Sequence, residues 1–348
     1  MLEKFSVCNV TSIDPIKSFD GVSNSINNLS YFLKKKKIKS YTIKPKDFFF
    51  FLSILKKIKI INIHGCWSPF FLIIFLIGKI LKKKIVINTH GMLSHWSFNY
   101  KKIKKIIAWY LYQRFITNNA DLIIVNSQIE YNQFKEKIKN YKVKIIFNGI
   151  NPPLFHKSIL PNKKITKKAL FFSRIHPIKG LKELILAWSK SNFLKKNKFT
   201  LSIYGVVDDY KYLNFIKSLI KKKKLSNEIF IYANENVNKW NVYSNHDFLV
   251  LPSYTESFGI VVAEALYSGI PVITTTETPW KNIEELSYGK VVNINVNSLT
   301  KALDSLSYSI IQKKITYQKR NEMRSYVIRN FSWKYLIEHY LIAFKKII

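Results

Sequence analysis

Leu251-Pro-Ser-Tyr-Thr-Glu-Ser-Phe-Gly-Ile-Val-Val-Ala-Glu-Ala-Leu266 is the stretch on which the reading of this chain turns. Ahead of it, Asp247-Phe-Leu-Val-Leu251 is the uninterrupted apolar run of a buried parallel strand, and Pro252 to Ser257 is turn chemistry. A helix is expected to start near Phe258. Its free N–H groups and positive dipole end, reached through Ser257, Phe258 and Gly259, suit a diphosphate. Glu264, about two turns in at roughly 3.6 residues per turn, suits a ribose diol. Glu256 and Glu264 thus bracket a helix start built for an anionic sugar ligand.

Working outward, short β-branched runs alternate with longer helical patterns, the signature of parallel sheets wrapped by helices. In the first half the expected strands are 5–11, 41–44, 60–64, 85–89, 122–126 and 144–147, and the clearest helix is 101–117. After Asn148-Gly149-Ile150-Asn151-Pro152-Pro153 the chain becomes polar and lysine-rich through Lys168. That shift predicts a boundary between one doubly wound domain over 1–158 and another over 159–330. Strands resume at 169–173, 200–204, 229–232, 248–251, 272–275 and 290–294. Two such halves facing one another would form a cleft at the carboxyl ends of both sheets, where ligands bind in these folds. The last segment, 331–348, is expected to be a helix that crosses back onto the first domain, with Trp333 and Tyr340 touching it.

The 348 residues carry a formal net charge of +36, which raises nucleic acid as a partner. Nearly all of that charge is lysine; the arginines are Arg114, Arg174, Arg320, Arg324 and Arg329. Interfaces that read bases favour the bidentate arginine fork, so a specific nucleic-acid partner is not expected. Abundant lysine, isoleucine and asparagine together fit an AT-rich genome, with the lysines on solvated faces. Either origin leaves attraction to anionic lipid in place. Cys8 and Cys66 lack a partner or metal-ligand spacing, and the amino terminus lacks a basic region followed by an apolar core and cleavage site. A reduced cytoplasmic location is therefore expected. The longest apolar run, 69–78, is far shorter than the roughly 20 residues that span a bilayer, and reads as a helix packed on a sheet. The runs at 48–55 and 70–77, each near lysines, leave peripheral membrane contact open.

Ser173-Arg174-Ile175-His176-Pro177-Ile178-Lys179-Gly180 sits where the first strand of the second half gives way to a helix. Arg174 and Lys179 are expected to converge there on a diphosphate, a guanidinium gripping two oxygens and an ammonium adding a point charge. The structural alternatives are an i, i+4 pair of Lys179 with Glu183 and a surface arginine. Asp208-Asp209 is adjacent, precedes a helix and lacks companion ligands, so it is not read as a metal site.

With these residues in hand, the chain resembles the family 4 glycosyltransferases of the GT-B fold, two Rossmann-like domains about a central cleft. Glu256-x7-Glu264 followed by Ala-Leu-Tyr-Ser-Gly-Ile-Pro-Val-Ile273 carries the resemblance, with Leu170–Gly180, the 148–150 hinge and Thr278-Pro279-Trp280. Thr89-His90-Gly91-Met92-Leu93 and Asp20-Gly21-Val22-Ser23 are similar to first-domain loops of the family, Asp20 standing where the family has glycine. The resemblance implies retaining transfer, of hexosyltransferase type, from a nucleotide-diphosphate sugar without a metal or other cofactor. By it, Glu264 binds the donor ribose, Arg174 and Lys179 neutralise the leaving diphosphate, and Glu256 contacts the transferred sugar. His90 lies beside the reacting carbon or the donor hydroxyls, and Gly21 lets backbone approach the phosphate. Residues alone leave His90 and His64 open to a structural role. The implied acceptor is a glycan or lipid-linked saccharide of cell-surface polysaccharide or lipopolysaccharide assembly, met at the inner face of a membrane. The rivals are a GT-B-fold nucleotide-sugar epimerase and a non-catalytic basic protein that binds nucleic acid or membrane.

Overall fold

Runs of isoleucine, valine, leucine and phenylalanine pair into two six-stranded, all-parallel sheets in the computed structural model, which describes residues 5–13, 21–99, 102–136, 138, 142–152 and 164–348. Strands covered on both faces can be apolar throughout, which is why these runs do not alternate with polar residues. The chain divides into one unit of Met1–Asn151 with Phe331–Ile348 and a second of Pro152–Asn330.

In the first unit β1 (Ser6–Thr11) leads to α1 (Gly21–Lys35), β2 (Lys39–Ile43), α2 (Phe48–Ile54), β3 (Ile60–His64), α3 (Pro69–Ile80) and β4 (Lys84–Asn88). There follow α4 (His95–Asn99), α5 (Lys102–Ala108), a π turn (Trp109–Gln113), α6 (Arg114–Asn118), β5 (Leu122–Val125), α7 (Gln128–Lys135) and β6 (Val143–Ile145). The strand order is β2-β1-β3-β4-β5-β6, so the direction of winding reverses between β1 and β3. Right-handed crossovers then put α1 on one face and α2, α3, α5 to α6 and α7 on the other. The apolar clusters agree: Leu29, Phe32 and Leu33 of α1 lie in one, while Phe51, Phe71, Phe75 and Trp109 lie in the other.

The helix expected over 101–117 is broken by the π turn. Its extra residue brings Tyr112 and Gln113 together onto the Trp67 backbone: Tyr112 Oη donates to the carbonyl at 2.6 Å, and the Trp67 N–H donates to Gln113 Oε1 at 2.9 Å.

The second unit runs β7 (Lys168–Phe172), α8 (Leu181–Lys190), α9 (Asn192–Lys196), β8 (Thr200–Gly205), α10 (Tyr210–Lys222), β9 (Ile229–Ala233), α11 (Lys239–Ser244) and β10 (Phe248–Leu251). It continues through α12 (Ile260–Tyr267), β11 (Val272–Thr275), β12 (Gly289–Val292), α13 (Val296–Ile311) and α14 (Tyr317–Phe331). The order β12-β11-β10-β7-β8-β9 sets the switch point between β7 and β10. This position brings the loop after β7, which ends at Phe172, beside the loop after β10, which ends at Leu251, two segments far apart in sequence.

The last helix, α15 (Trp333–Lys345), belongs to the first unit. Trp333 stacks on Phe32 of α1 with ring centroids 6.4 Å apart, and Tyr340 Oη reaches Asn88 Oδ1 at 3.3 Å. Ile150 pairs with the turn before it, its N–H donating to the Phe331 carbonyl at 2.8 Å.

Candidate functional site

At the switch point of the second sheet, the chain leaves β7 through Ser173–His176 and a 3-10 turn, Pro177–Lys179, before entering α8. Gly180 joins the turn to the helix at φ +67°, a left-handed conformation that costs a Cβ-bearing residue energy, and a Cβ there would lie 2.0 Å from the Pro252 carbonyl oxygen. The two loops therefore touch backbone to backbone. The Tyr254 N–H donates to the Ile178 carbonyl at 2.9 Å. Within this frame Lys179 Nζ donates to Glu256 Oε1 at 2.6 Å, and Ser253 Oγ donates to the same oxygen at 2.8 Å. Lys179 thus pairs with Glu256, across the switch point, and not with Glu183 in the first turn of α8.

Ser257 follows half-buried, and Phe258 is buried with its carbonyl accepting from Trp280 Nε1 at 2.5 Å. Gly259 caps α12 at φ +76°. The helix starts at Ile260, two residues later than expected, because Phe258 is tied to Trp280 and Gly259 is left-handed; neither conforms to a helical first turn. Glu256 sits beside that start, its Cγ 3.6 Å from where a Gly259 Cβ would be.

Glu264, on α12, is buried and accepts from Tyr243 Oη at 2.9 Å and from Lys239 Nζ, both on α11. Lys239 and Tyr243 are four apart, so one face of α11 presents both donors. Burial, then the charge and hydrogen bond of Glu264, push the Tyr243 phenol well above its ordinary range. A carboxylate has about four acceptor positions, so two donors leave room for a ligand diol.

Arg174 pairs with Asp208 and is half exposed. The bridge of Ile175 with Val207 sets this alignment. Arg174 and Lys179 therefore hold different carboxylates, Asp208 and Glu256, and between them the His176 pKa is lowered by burial and then by Arg174, with Asp208 and Asp209 opposing. Asp209 caps α10, accepting from the Tyr212 N–H at 3.1 Å. Each member of the Asp208–Asp209 pair thus has a partner within the protein, and among the described residues no group of three or more His, Cys, Asp or Glu side chains is arranged to hold a metal ion.

In the first unit His90 follows β4 at φ +49° and is buried. Its Nε2 lies 3.0 Å from His64 Nδ1 and the rings stack with centroids 5.3 Å apart. His64 Nε2 in turn meets Asn62 at 2.9 Å and Asn9 at 3.1 Å, all three side chains buried. Burial, reinforced by His90, holds the His64 pKa well below 6.5, so the ring is neutral. Gly21 is the exposed first residue of α1, and a Cβ there would meet nothing within 4 Å. Asp20 lies outside the described residues.

Comparisons with known proteins bear on the family and the fold. Residues 154–323 match the family described as "Glycosyl transferases group 1", and residues 24–153 match "Glycosyltransferase Family 4". The chain belongs to the group 1, family 4 glycosyltransferases. It is 30% identical over 173 residues to the uncharacterized glycosyltransferase MJ1178 of Methanocaldococcus jannaschii, an alignment covering 50% of this chain and 45% of that protein. The chain spans less than half the length of the curated relatives it matches at 30% identity or above. Among solved structures it is similar to Anabaena HepE in complex with UDP and glucose (15% identity, TM-score 0.74, covering 98% of this chain and 100% of that one). It is also similar to WaaG, a glycosyltransferase involved in lipopolysaccharide biosynthesis (13%, TM-score 0.69, 96% and 98%). At these identities the structural likeness establishes the GT-B fold.

Two sets of residues that hold candidate site residues in place leave little local trace in the sequence. Lys239 and Tyr243 escaped because nothing local ties α11 to Glu264. Glu130 of α7 is buried and accepts from Thr89 Oγ1 at 2.5 Å, the Gly91 N–H at 2.6 Å and the Asn126 N–H at 2.8 Å, clamping the loop that carries His90. Burial pushes its carboxyl up and those donors, Thr89 first, pull it back. Ser127-x-x-Glu130, a capping-box spacing with Ser127 Oγ accepting from the Glu130 N–H at 3.1 Å, was the available signal.

Proposed function

We propose that the protein transfers a sugar from a nucleotide-diphosphate donor to a glycan or lipid-linked saccharide, with retention, as a hexosyltransferase. The observation that carries this reading is the Lys179–Glu256 pair at a sheet switch point, beside a glycine-capped helix start and one helix segment from Glu264. In this reading Glu264 takes the ribose diol, and the N–H groups at the start of α12 with Lys179 and Arg174 take the diphosphate. Arg174 exchanges Asp208 for phosphate oxygens, which is open to it because the side chain is half exposed. Glu256 then faces the transferred sugar, and His90 bonds substrate hydroxyls. Gly21 admits the donor phosphate close to the backbone.

The acceptor hydroxyl attacks the anomeric carbon on the face from which the diphosphate leaves. The new C–O bond forms as the old one breaks, and the acceptor proton passes to a donor phosphate oxygen. Fixed cations and helix N–H groups meet the charge that develops on the leaving group, so the reading assigns no metal or other cofactor. A role in cell-surface polysaccharide or lipopolysaccharide assembly at the inner face of the cytoplasmic membrane is supported by the likeness to WaaG.

The test is thermal unfolding of the purified chain with UDP, GDP and their sugars. A donor at a hundred times its Kd stabilises by about 2.7 kcal/mol, a shift of several degrees, and Glu264→Ala should cut that to about a third at the same donor concentration. Absence of a shift with every nucleotide sugar, together with salt-dependent duplex binding, would replace this reading with the nucleic-acid one.

A further inference from the structure

The helices covering one face of the first sheet carry a second apolar surface that points away from the core. On α3, Phe71, Ile74 and Phe75 are buried, while Ile73, Leu76 and Ile80 of the same helix are exposed. The α5 to α6 segment repeats this. Trp109, Tyr112 and Ile116 face inward, whereas Ile103, Ile107, Tyr110 and Leu111 are exposed at spacings of four, seven and eight residues, one stripe at helical period. Tyr110 and Leu111 are 71% and 73% exposed, and Phe49 on α2 is 84% exposed. The three elements are neighbours: Phe75 packs against Phe115 with centroids 5.7 Å apart, and Phe48 against Phe70 at 6.4 Å. Single exposed apolar side chains need no explanation, but a shared outer face on adjacent helices marks an interaction site.

Charge decides what the partner is. From Pro45 to Asn119 the sequence holds twelve lysines and Arg114 against a single acid, Asp47. Lys56, Lys57, Lys82, Lys102 and Lys104 are exposed at or beside the ends of these helices. We propose that this face docks on an anionic bilayer surface, Ile107, Leu111 and Leu76 entering the headgroup–acyl boundary while the lysines meet lipid phosphates. A second copy of the chain would set lysine against lysine, and nucleic acid would leave the aliphatic stripe unused. No helix among the described residues is long and apolar enough to cross a membrane, so this is attachment in the plane of the surface. The inference deepens the lipid-linked acceptor reading but rests on this surface and not on the donor site.

The experiment is co-sedimentation of the full chain with phosphatidylglycerol-containing vesicles and with phosphatidylcholine vesicles, without nucleotide sugar, so that its outcome is separate from that of the donor reading. Binding to the anionic vesicles at least tenfold tighter than to the neutral ones is expected, falling as salt rises. Ile107→Glu with Leu111→Glu should lower it at least tenfold, and Lys102→Ser with Lys104→Ser severalfold, the second variant leaving the apolar stripe intact should the first misfold. Failure of the wild type to bind anionic vesicles overturns the proposal. So does unchanged binding in both folded variants, or a dimer in sedimentation velocity that the first variant dissolves.

Discussion

The Lys179 ammonium and the Glu256 carboxylate form an ion pair 2.6 Å long with about a tenth of each side chain exposed, and it joins the loop after β7 to the loop after β10. Removing one partner leaves the other charge desolvated, at roughly 3–5 kcal/mol for a buried pair. Lys179→Met is expected to destabilise the second unit by about 3 kcal/mol, and Lys179→Met with Glu256→Leu to recover much of that loss while remaining inactive. Denaturant unfolding of the single and double variants measures the coupling; additive losses would show that the pair does not hold the loops.

Glu264 accepts from two donors in the protein and keeps acceptor positions for a ligand. Glu264→Ala should weaken nucleotide binding by about thirtyfold, near 2 kcal/mol for hydrogen bonds to a charged group. Tyr243→Phe, which removes one donor to the carboxylate, should cost about 1 kcal/mol of stability and little affinity. Calorimetric titration with UDP separates the two, and unchanged affinity in Glu264→Ala would remove the residue from the ribose site.

Glu130 is buried and holds the loop that carries His90. Glu130→Ala leaves the Gly91 and Asn126 N–H groups without their acceptor, at about 1–3 kcal/mol for each that stays dry, while the Thr89 hydroxyl keeps the Ile124 carbonyl at 3.3 Å. Faster hydrogen exchange at the Gly91 amide, together with lowered kcat at unchanged donor Kd, is expected. Exchange identical to wild type would mean that the loop is held by other contacts.

His64 carries a pH dependence with a definite sign. Its folded pKa lies well below 6.5, because burial and then His90 disfavour the charged ring. The unfolded chain therefore binds the proton first, and stability present above about pH 6.5 is lost as pH falls from there toward the folded value. Denaturation midpoints of wild type at pH 7.5 and 5.5, compared with His64→Gln, should show a larger acid loss in the wild type. Parallel losses would place the dependence elsewhere.

Gly180 and Gly21 offer opposite controls. Gly180→Ala sets a methyl 2.0 Å from a carbonyl oxygen at a left-handed φ, and should destabilise the second unit by about 2 kcal/mol or more. Gly21→Ala meets open space and should stay within about 0.5 kcal/mol of wild type, so any loss of donor affinity there reports approach of the phosphate.

Local pattern carried most of the architecture. Strands Ile60–His64, Phe248–Leu251 and Val272–Thr275 have the bounds their β-branched and apolar runs predict, because a strand covered on both faces is rich in such residues wherever it lies. Helix details were less legible. The late start of α12 follows from Trp280 gripping Phe258, and the π turn follows from Tyr112 and Gln113 both meeting Trp67, contacts spanning twenty residues or more.

Sequence alone determined the fold class, the family, and the two segments, Arg174–Gly180 and Pro252–Glu264, that carry the candidate donor site. Tertiary structure decided the partners: Lys179 with Glu256 instead of Glu183, Arg174 with Asp208, Glu264 with Tyr243 and Lys239, and Glu130 with the His90 loop. The division has a physical reason. Burial and backbone propensity act over a few residues and leave a periodic trace in the sequence. A charge takes whichever opposite group the order of strands sets beside it, and that order is a property of the whole sheet.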